Sequence, residues 1–308
     1  MDLPRIDIIK ELLDQINQLY DDHRIAQAAK KLRDLDLVVK SELDNTDDNS
    51  PQIKQLLDDQ YTTCKRFDRL RQESEECNNL LRMLENTDNW TDISNSDGIQ
   101  TFYKDNGGGM HSIRMEGIVD SSLFDICSTV LEVDLYHSWI PRLKDATQLA
   151  DDSRFRKAIY CRVSCPWPVD DRDIVVYGYG IDLLEESNKV VVFARSFEDG
   201  DFEGVDLPDV PTKTVRVDTK ISGFVMQPIS PTQTFVQVVS LTDPKMAFIP
   251  YWLLNFITNQ FAHYLFVSLR RQTKSVASSP VYQERIKTNP LYNELKDKWL
   301  SSQHKLKE

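Results

Sequence analysis

All ten glycines of this 308-residue chain lie at or beyond Gly98, and the residues before it hold only two prolines, Pro4 and Pro51. Glycine supplies the positive-φ positions that tight turns need, and proline interrupts regular backbone, so a stretch without them favours unbroken helix. The first third of the chain is therefore expected to be helical, and the remainder to be rich in turns. A hydrophobic fraction of 40% is enough for a buried core.

Apolar residues in the first part recur at steps of three and four, as one face of an α-helix requires. They run from Ile9 through Leu12, Leu13, Ile16 and Leu19, resume at Leu32, Leu35, Val39 and Leu43, and resume again from Ile53 to Leu84. Breaks are predicted at Asp21-Asp22 and in the acidic, polar run Asp44 to Ser50, with Ser50 as an N-cap and Pro51 at the first helical position. Two or three antiparallel helices follow. The small residues Ala26, Ala28 and Ala29 are compatible with one unit of a helical repeat, although no second copy follows at a fixed period. The favoured reading is a helical hairpin that packs on the following domain or holds two copies of the protein together.

Beyond Gly98 the period changes to two. Val215, Val217, Thr219 and Ile221 alternate with Arg216, Asp218, Lys220 and Ser222, and six further strands are read between Ile99 and Leu241. No long helical crossover separates the later strands, and Glu185 to Asn188 supplies a hairpin turn, so the sheet is expected to be antiparallel. Ser121 or Ser122 can cap a short helix ending near Glu132. A long helix opens at Pro250, with Leu253, Phe256, Ile257, Phe261, Tyr264, Leu265 and Leu269 on a broad apolar face. At about 25 residues it would reach nearly 40 Å, across a whole domain. Pro280 and Pro290 are expected to break the tail, leaving one short helix over Tyr292 to Leu300. The boundaries drawn are a helical region at 1–87, a sheet-and-helix domain at 88–276 and a tail at 277–308.

Several function classes are disfavoured. A net charge of −12, from 49 acidic and 37 basic side chains, opposes an electrostatic grip on nucleic acid or anionic membranes. Five cysteines, an odd number, and the lack of a signal-like N-terminus point to a reducing, cytoplasmic setting. The richest apolar stretch, Met246 to Ile257, is too short to span a bilayer. Cys161 and Cys165 lack companions at zinc spacing, so no metal is expected. Gly107-Gly108-Gly109 precedes a strand rather than a helix, which makes it a hairpin tip and not a phosphate loop.

An ordered set of motifs carries a resemblance. It runs through Asp97 to Tyr103, Ser112 to Gly117, Trp139, Pro166-Trp167-Pro168 with Arg172-Asp173, Ala194-Arg195-Ser196, and Ile249 to Asn255. Over residues 88–275 the chain resembles the START lipid-transfer domain family. The resemblance implies an α+β helix-grip fold, in which a curved antiparallel sheet wraps a long C-terminal helix, and a bound lipid in place of any cofactor. It further implies a hydrophobic tunnel gated by that helix and a neighbouring loop, and transient contact with membranes. The expected lining is Cys161, Val163, Ile174, Val176, Arg195 and Lys220 from the strands, and Phe256, Ile257, Gln260 and Tyr264 from the helix. Trp167 and Trp252 are expected at the membrane interface.

The choline-binding cage of phosphatidylcholine-binding members would fall on Cys161, Ile174 and Lys220, none of them aromatic. Their phosphate-binding arginine would fall near Tyr136 or His137, and the arginine of the sterol-type charged pair on Gly178. Neither specificity carries over, and the expectation is a phospholipid or another acyl-chain lipid. Arg195, if inward, needs either a lipid phosphate or a carboxylate such as Asp173 or Glu116. Lys220 suits an anionic headgroup or the wet face of its strand, and His263 the tunnel or the helix surface. An enzyme of the wider helix-grip superfamily, a cyclase or hydrolase, would need an acid/base pair inside the cavity, and none is identified. A lipid-sensing regulator that recruits a partner through its N-terminal helices is the competing reading.

Overall fold

The computed structural model describes residues 5–22, 24–44, 51–62, 64–151, 156–198, 200–246 and 248–305. It divides into two compact units, Met1–Asn79 and Leu80–Glu308. The first holds α1 (Arg5–Asp21), α2 (Ile25–Asp44) and α3 (Pro51–Leu57), which a π-helical turn (Asp58–Thr62) extends. Helix α4 (Lys65–Glu85) begins in this unit and ends in the next. Ile9, Leu13, Ile16, Leu32, Leu35, Phe67 and Leu70 are buried, which is the face the three-and-four spacing marks. Asp36 on α2 is the polar centre: Arg71 of α4 donates to it at 2.8 Å and the Tyr61 hydroxyl at 2.7 Å. Burial, reinforced by Asp36, pushes the Tyr61 phenol up to about 12. The expected Ser50 cap lies outside the described residues.

The second unit opens with β1 (Thr91–Ser96), β2 (Ile99–Asp105) and β3 (His111–Val119), then α5 (Leu123–Leu131) and a 3₁₀ turn (Val133–Ser138). There follow β4 (Leu143–Asp151), β5 (Arg156–Val163), β6 (Asp171–Leu183), α6 (Leu184–Ser187), β7 (Lys189–Ser196), β8 (Thr214–Arg216), β9 (Asp218–Ser230) and β10 (Gln233–Asp243). The long helix is α7 (Tyr251–Asn255), a π-helical segment (Phe256–Phe261) and α8 (Ala262–Ser275), and the chain ends in α9 (Pro280–Thr288) and α10 (Pro290–Lys305). The sheet order is β1-β2-β3-β10-β9-β7-β6-β5-β4, antiparallel along this path, with β8 pairing parallel to β6.

Local chemistry explains the joints. Asp97 and Gly98, both at positive φ, turn β1 into β2 as a two-residue hairpin needs. Gly107, Gly108 and Gly109, also at positive φ, form the tip between β2 and β3. The Ser122 side chain caps α5 by accepting from the Asp125 N–H at 3.1 Å. Pro280 and Pro290 start helices rather than breaking the tail, because proline is tolerated in a first turn whose N–H groups have no partner.

One face of the sheet carries α5 and α8. Ile99, Met115, Met226, Val190, Val236 and Val238 form a single buried cluster with Ile126, Val130, Ala262, Phe266 and Leu269. Gly117 lets the helix approach: a Cβ there would lie 2.6 Å from the Gly98 carbonyl oxygen and 3.4 Å from the Phe266 ring. Arg270 then fixes α8, donating to the carbonyls of Ile118, Asp97 and Gly98 at 2.9, 2.6 and 3.1 Å. Trp299 of α10 joins the same cluster. The Tyr292 hydroxyl and Arg285 both donate to the buried Glu132 at 2.7 Å, so α9 and α10 clamp the end of α5. The opposite face is also buried, with Phe193, Val191, Tyr177 and Val239 at its centre.

Candidate ligand cavity

Register decides which side chains share the helix-facing row. Cys161 pairs with Ile174, Ile159 with Val176, Lys157 with Gly178, and the row continues through Ala194, Ser222 and Ser240. Val163 closes it at the other end of β5. Towards α5 the row is sealed by Val190, Met226 and Val236. Towards the β5–β6 loop its members Ile159, Cys161, Val163, Ile174 and Val176 are only partly buried, although they stand on strands inside the sheet. The Cys161 thiol is nonetheless pushed up to about 12 by burial, and burial raises the neighbouring Tyr136 phenol as well. These strand side chains are the candidates to line a space between sheet and helix.

The helix on this face of the sheet is α-helical at both ends and π-helical between. Leu253, Thr258, Ala262, Phe266 and Leu269 are buried, and the step of five from Leu253 to Thr258 is the signature of the π-helical segment between them. Phe256 and Ile257 are half-buried, and the Arg142 guanidinium lies 5.6 Å from the centre of the Phe256 ring. Gln260 and Tyr264 are exposed, which corrects the expectation for both: the extra residue in the π turn rotates them onto the solvent side.

Two strand residues are corrected likewise. Arg195 pairs across the sheet with Tyr177, on the face away from α8, where a fork of two bonds at 2.8 and 2.7 Å holds Asp201 and the guanidinium stacks on the Tyr177 ring. Its carboxylate is neither Asp173, which takes Arg216, nor Glu116, which takes Arg114. Lys220 falls at a β-bulge, exposed, with its ammonium 3.0 Å from Asp218. His263 lies 3.3 Å from Asp97 at the helix margin. Strand reading passed over Lys157, whose place on the row follows only from the β5–β6 register. The Trp139 indole N–H is buried and has no acceptor among the described residues.

Among the described residues, no group of three or more His, Cys, Asp or Glu side chains is placed to hold a metal, and no helix is long and apolar enough to cross a membrane. No curated protein sequence matches the chain. The sequence profile of the START domain matches residues 70–275. The chain belongs to the START domain family. The START match begins within α4 and closes at the end of α8, leaving α1 to α3, α9 and α10 beyond it. Similar solved structures include human STARD10, at 13% identity over 71% of this chain and 86% of that one with a TM-score of 0.58. Human StAR-related lipid transfer protein 5 is similar at 16% identity, over 67% and 96%, with a TM-score of 0.57.

One end of the START domain is unusually aromatic at its surface. Trp167 is 91% exposed, Tyr251 82%, Phe248 76% and Trp252 44%. Hydrogen bonds tie the segments that carry them together. Arg142, which stacks on Phe256, donates to the Ser164 carbonyl at 2.8 Å, and Arg172 donates to the Pro244 carbonyl at 3.0 Å. The β5–β6 loop with Trp167 and the segment entering α7 with Phe248 and Trp252 therefore lie at the same end, beside Val163.

Proposed function

We propose that the protein holds one lipid, a phospholipid or another acyl-chain lipid, between its sheet and C-terminal helix and carries it between membranes. The partly buried apolar row of Ile159, Cys161, Val163, Ile174 and Val176 on the helix-facing side of the sheet, with Phe256 and Ile257 half-buried on the helix, supports this reading. Each methylene moved from water into such a space gains about 0.8 kcal/mol, so a cavity can compete with a bilayer for an acyl chain. The protein needs no bond-breaking chemistry, only a door. α7 and the π-helical segment serve as that door, since α8 beyond them is fixed by Arg270. The exposed Trp167 and Trp252, suited to the polar–apolar boundary of a bilayer, bring the door to the membrane.

The test is transfer of a fluorescent phospholipid between vesicles. Ile174→Asp is expected to abolish lipid retention, because it places a charge in the apolar wall. Trp167→Ala combined with Trp252→Ala is expected to slow transfer several-fold while retention stays unchanged. Full retention by the Asp variant would move the cavity elsewhere, and unchanged transfer by the double variant would remove the aromatic end from the membrane.

A further inference from the structure

Within the helical unit, a groove of about 270 Å³ runs between α2 and α4, lined by Ala29, Leu32 and Arg33 on one side and by Arg71, Ser74 and Glu75 on the other. Ala29 and Leu32 are buried and form its apolar floor. Arg71 is a fixed wall, because Asp36 and Asp68 hold its guanidinium at 2.8 and 3.1 Å, and Glu75 is engaged within the protein. An apolar cavity of about 150 Å³ suffices for a benzene ring, so the groove has room for one large apolar side chain.

The α2 rim of the groove is basic. Arg33 is exposed, and its guanidinium reaches across to the neutral Ser74 hydroxyl at 3.2 Å. Among the described residues, neither Arg33 nor the exposed Lys30 pairs with a carboxylate. At 3.6 residues per turn, Lys30 and Leu37 stand beside Arg33 on α2, while Asp34 is turned further from the floor. Leu37 is 68% exposed. Two unpaired cations and an open leucine beside a groove stand out on a chain of net charge −12. The START match begins at residue 70, so α2 lies outside it and lipid holding does not account for these residues.

We infer that the groove docks an acidic amphipathic helix of a protein partner, which seats one large apolar side chain over Ala29 and Leu32 and sets carboxylates against Lys30 and Arg33. A concave floor suits a side chain better than the plane of a bilayer. A second copy meeting this face across a twofold axis would bring Lys30 and Arg33 towards their own counterparts, which like charges oppose. The inference stands apart from the lipid reading.

Full-length protein is titrated into fluorescent alanine-based helical peptides that carry leucine, phenylalanine or alanine as the anchor and glutamate or lysine beside it, with binding read by anisotropy. The Glu-flanked leucine and phenylalanine peptides are expected to bind roughly tenfold more tightly than the Lys-flanked or alanine-anchored ones. Arg33→Glu is expected to reverse the charge preference and Leu37→Ala to weaken binding several-fold, with lipid retention unchanged in both. Lys287→Glu, which alters an exposed lysine on α9, is expected to bind as wild type does. Equal binding of all peptides, or a charge preference that survives Arg33→Glu, overturns the assignment. So does a dimer in sedimentation that Arg33→Glu disperses, which would make a second copy the occupant. Binding to phosphatidylserine vesicles that Arg33→Glu abolishes, with no peptide bound, overturns it in favour of a membrane.

Discussion

Single residues set how closely the layers of the START domain meet. Gly117 faces Phe266 with no room for a β-carbon, since one would press on the Gly98 carbonyl at 2.6 Å. Gly117→Val is expected to lower stability by about 1–3 kcal/mol, as overpacking does, read as a lower urea midpoint. A midpoint within error of wild type would mean that the helix does not rest on this strand. Gly223 plays the same part on the other face, where a Cβ would meet Leu80 of α4 at 2.7 Å and the Val192 carbonyl. These needs belong to contacts made across long sequence separations, so the sequence shows the glycines but not their reason. Arg195 illustrates the limit from the other side. β6 and β7 carry apolar residues on both faces, so alternation of apolar residues cannot say which face meets the ligand.

At the level of elements, periodicity revealed what was long and amphipathic and missed what was polar. The helices before Gly98, the antiparallel sheet and the long closing helix are all legible in spacing alone. β1 (Thr-Asp-Ile-Ser-Asn-Ser) and β4 lie at the two ends of the sheet and are mostly exposed or half-exposed, so neither shows apolar alternation. The Asp97-Gly98 pair was the available sign of β1, being a hairpin turn that needs a strand on each side. The π-helical segment was hidden because one extra residue per turn leaves composition unchanged, yet it decides that Tyr264 faces solvent. The tail was under-read for a similar reason: Trp299, Leu291 and Tyr292 are spaced by packing on α5 rather than by a clear stripe. Trp299→Ala removes a buried indole from the main cluster and is expected to cost about 3–5 kcal/mol in chemical denaturation. A loss below about 1 kcal/mol would show that α10 contributes little to the core.

At the level of the whole molecule, burial of acidic hydrogens makes the fold sensitive to alkali. Cys77, Cys127 and Cys161 have thiols pushed from 9.0 up to about 12 by burial. The folded state therefore holds these protons more tightly than the unfolded chain does. Their contribution to stability is complete below pH 9 and is lost as pH rises from 9 towards 12. The urea midpoint is expected to fall across that window and to fall less in a Cys161→Ala variant; a flat profile would contradict the burial of these groups. The compact units divide between Asn79 and Leu80, inside α4.

The central claim is that the space between sheet and helix holds a lipid. Native mass spectrometry of protein purified without detergent tests it most directly. The account predicts a population heavier than the bare chain by the mass of one acyl-chain lipid, released by organic extraction and absent from Ile174→Asp. A single species at the mass of the bare chain, unchanged after incubation with phospholipid vesicles, would contradict it.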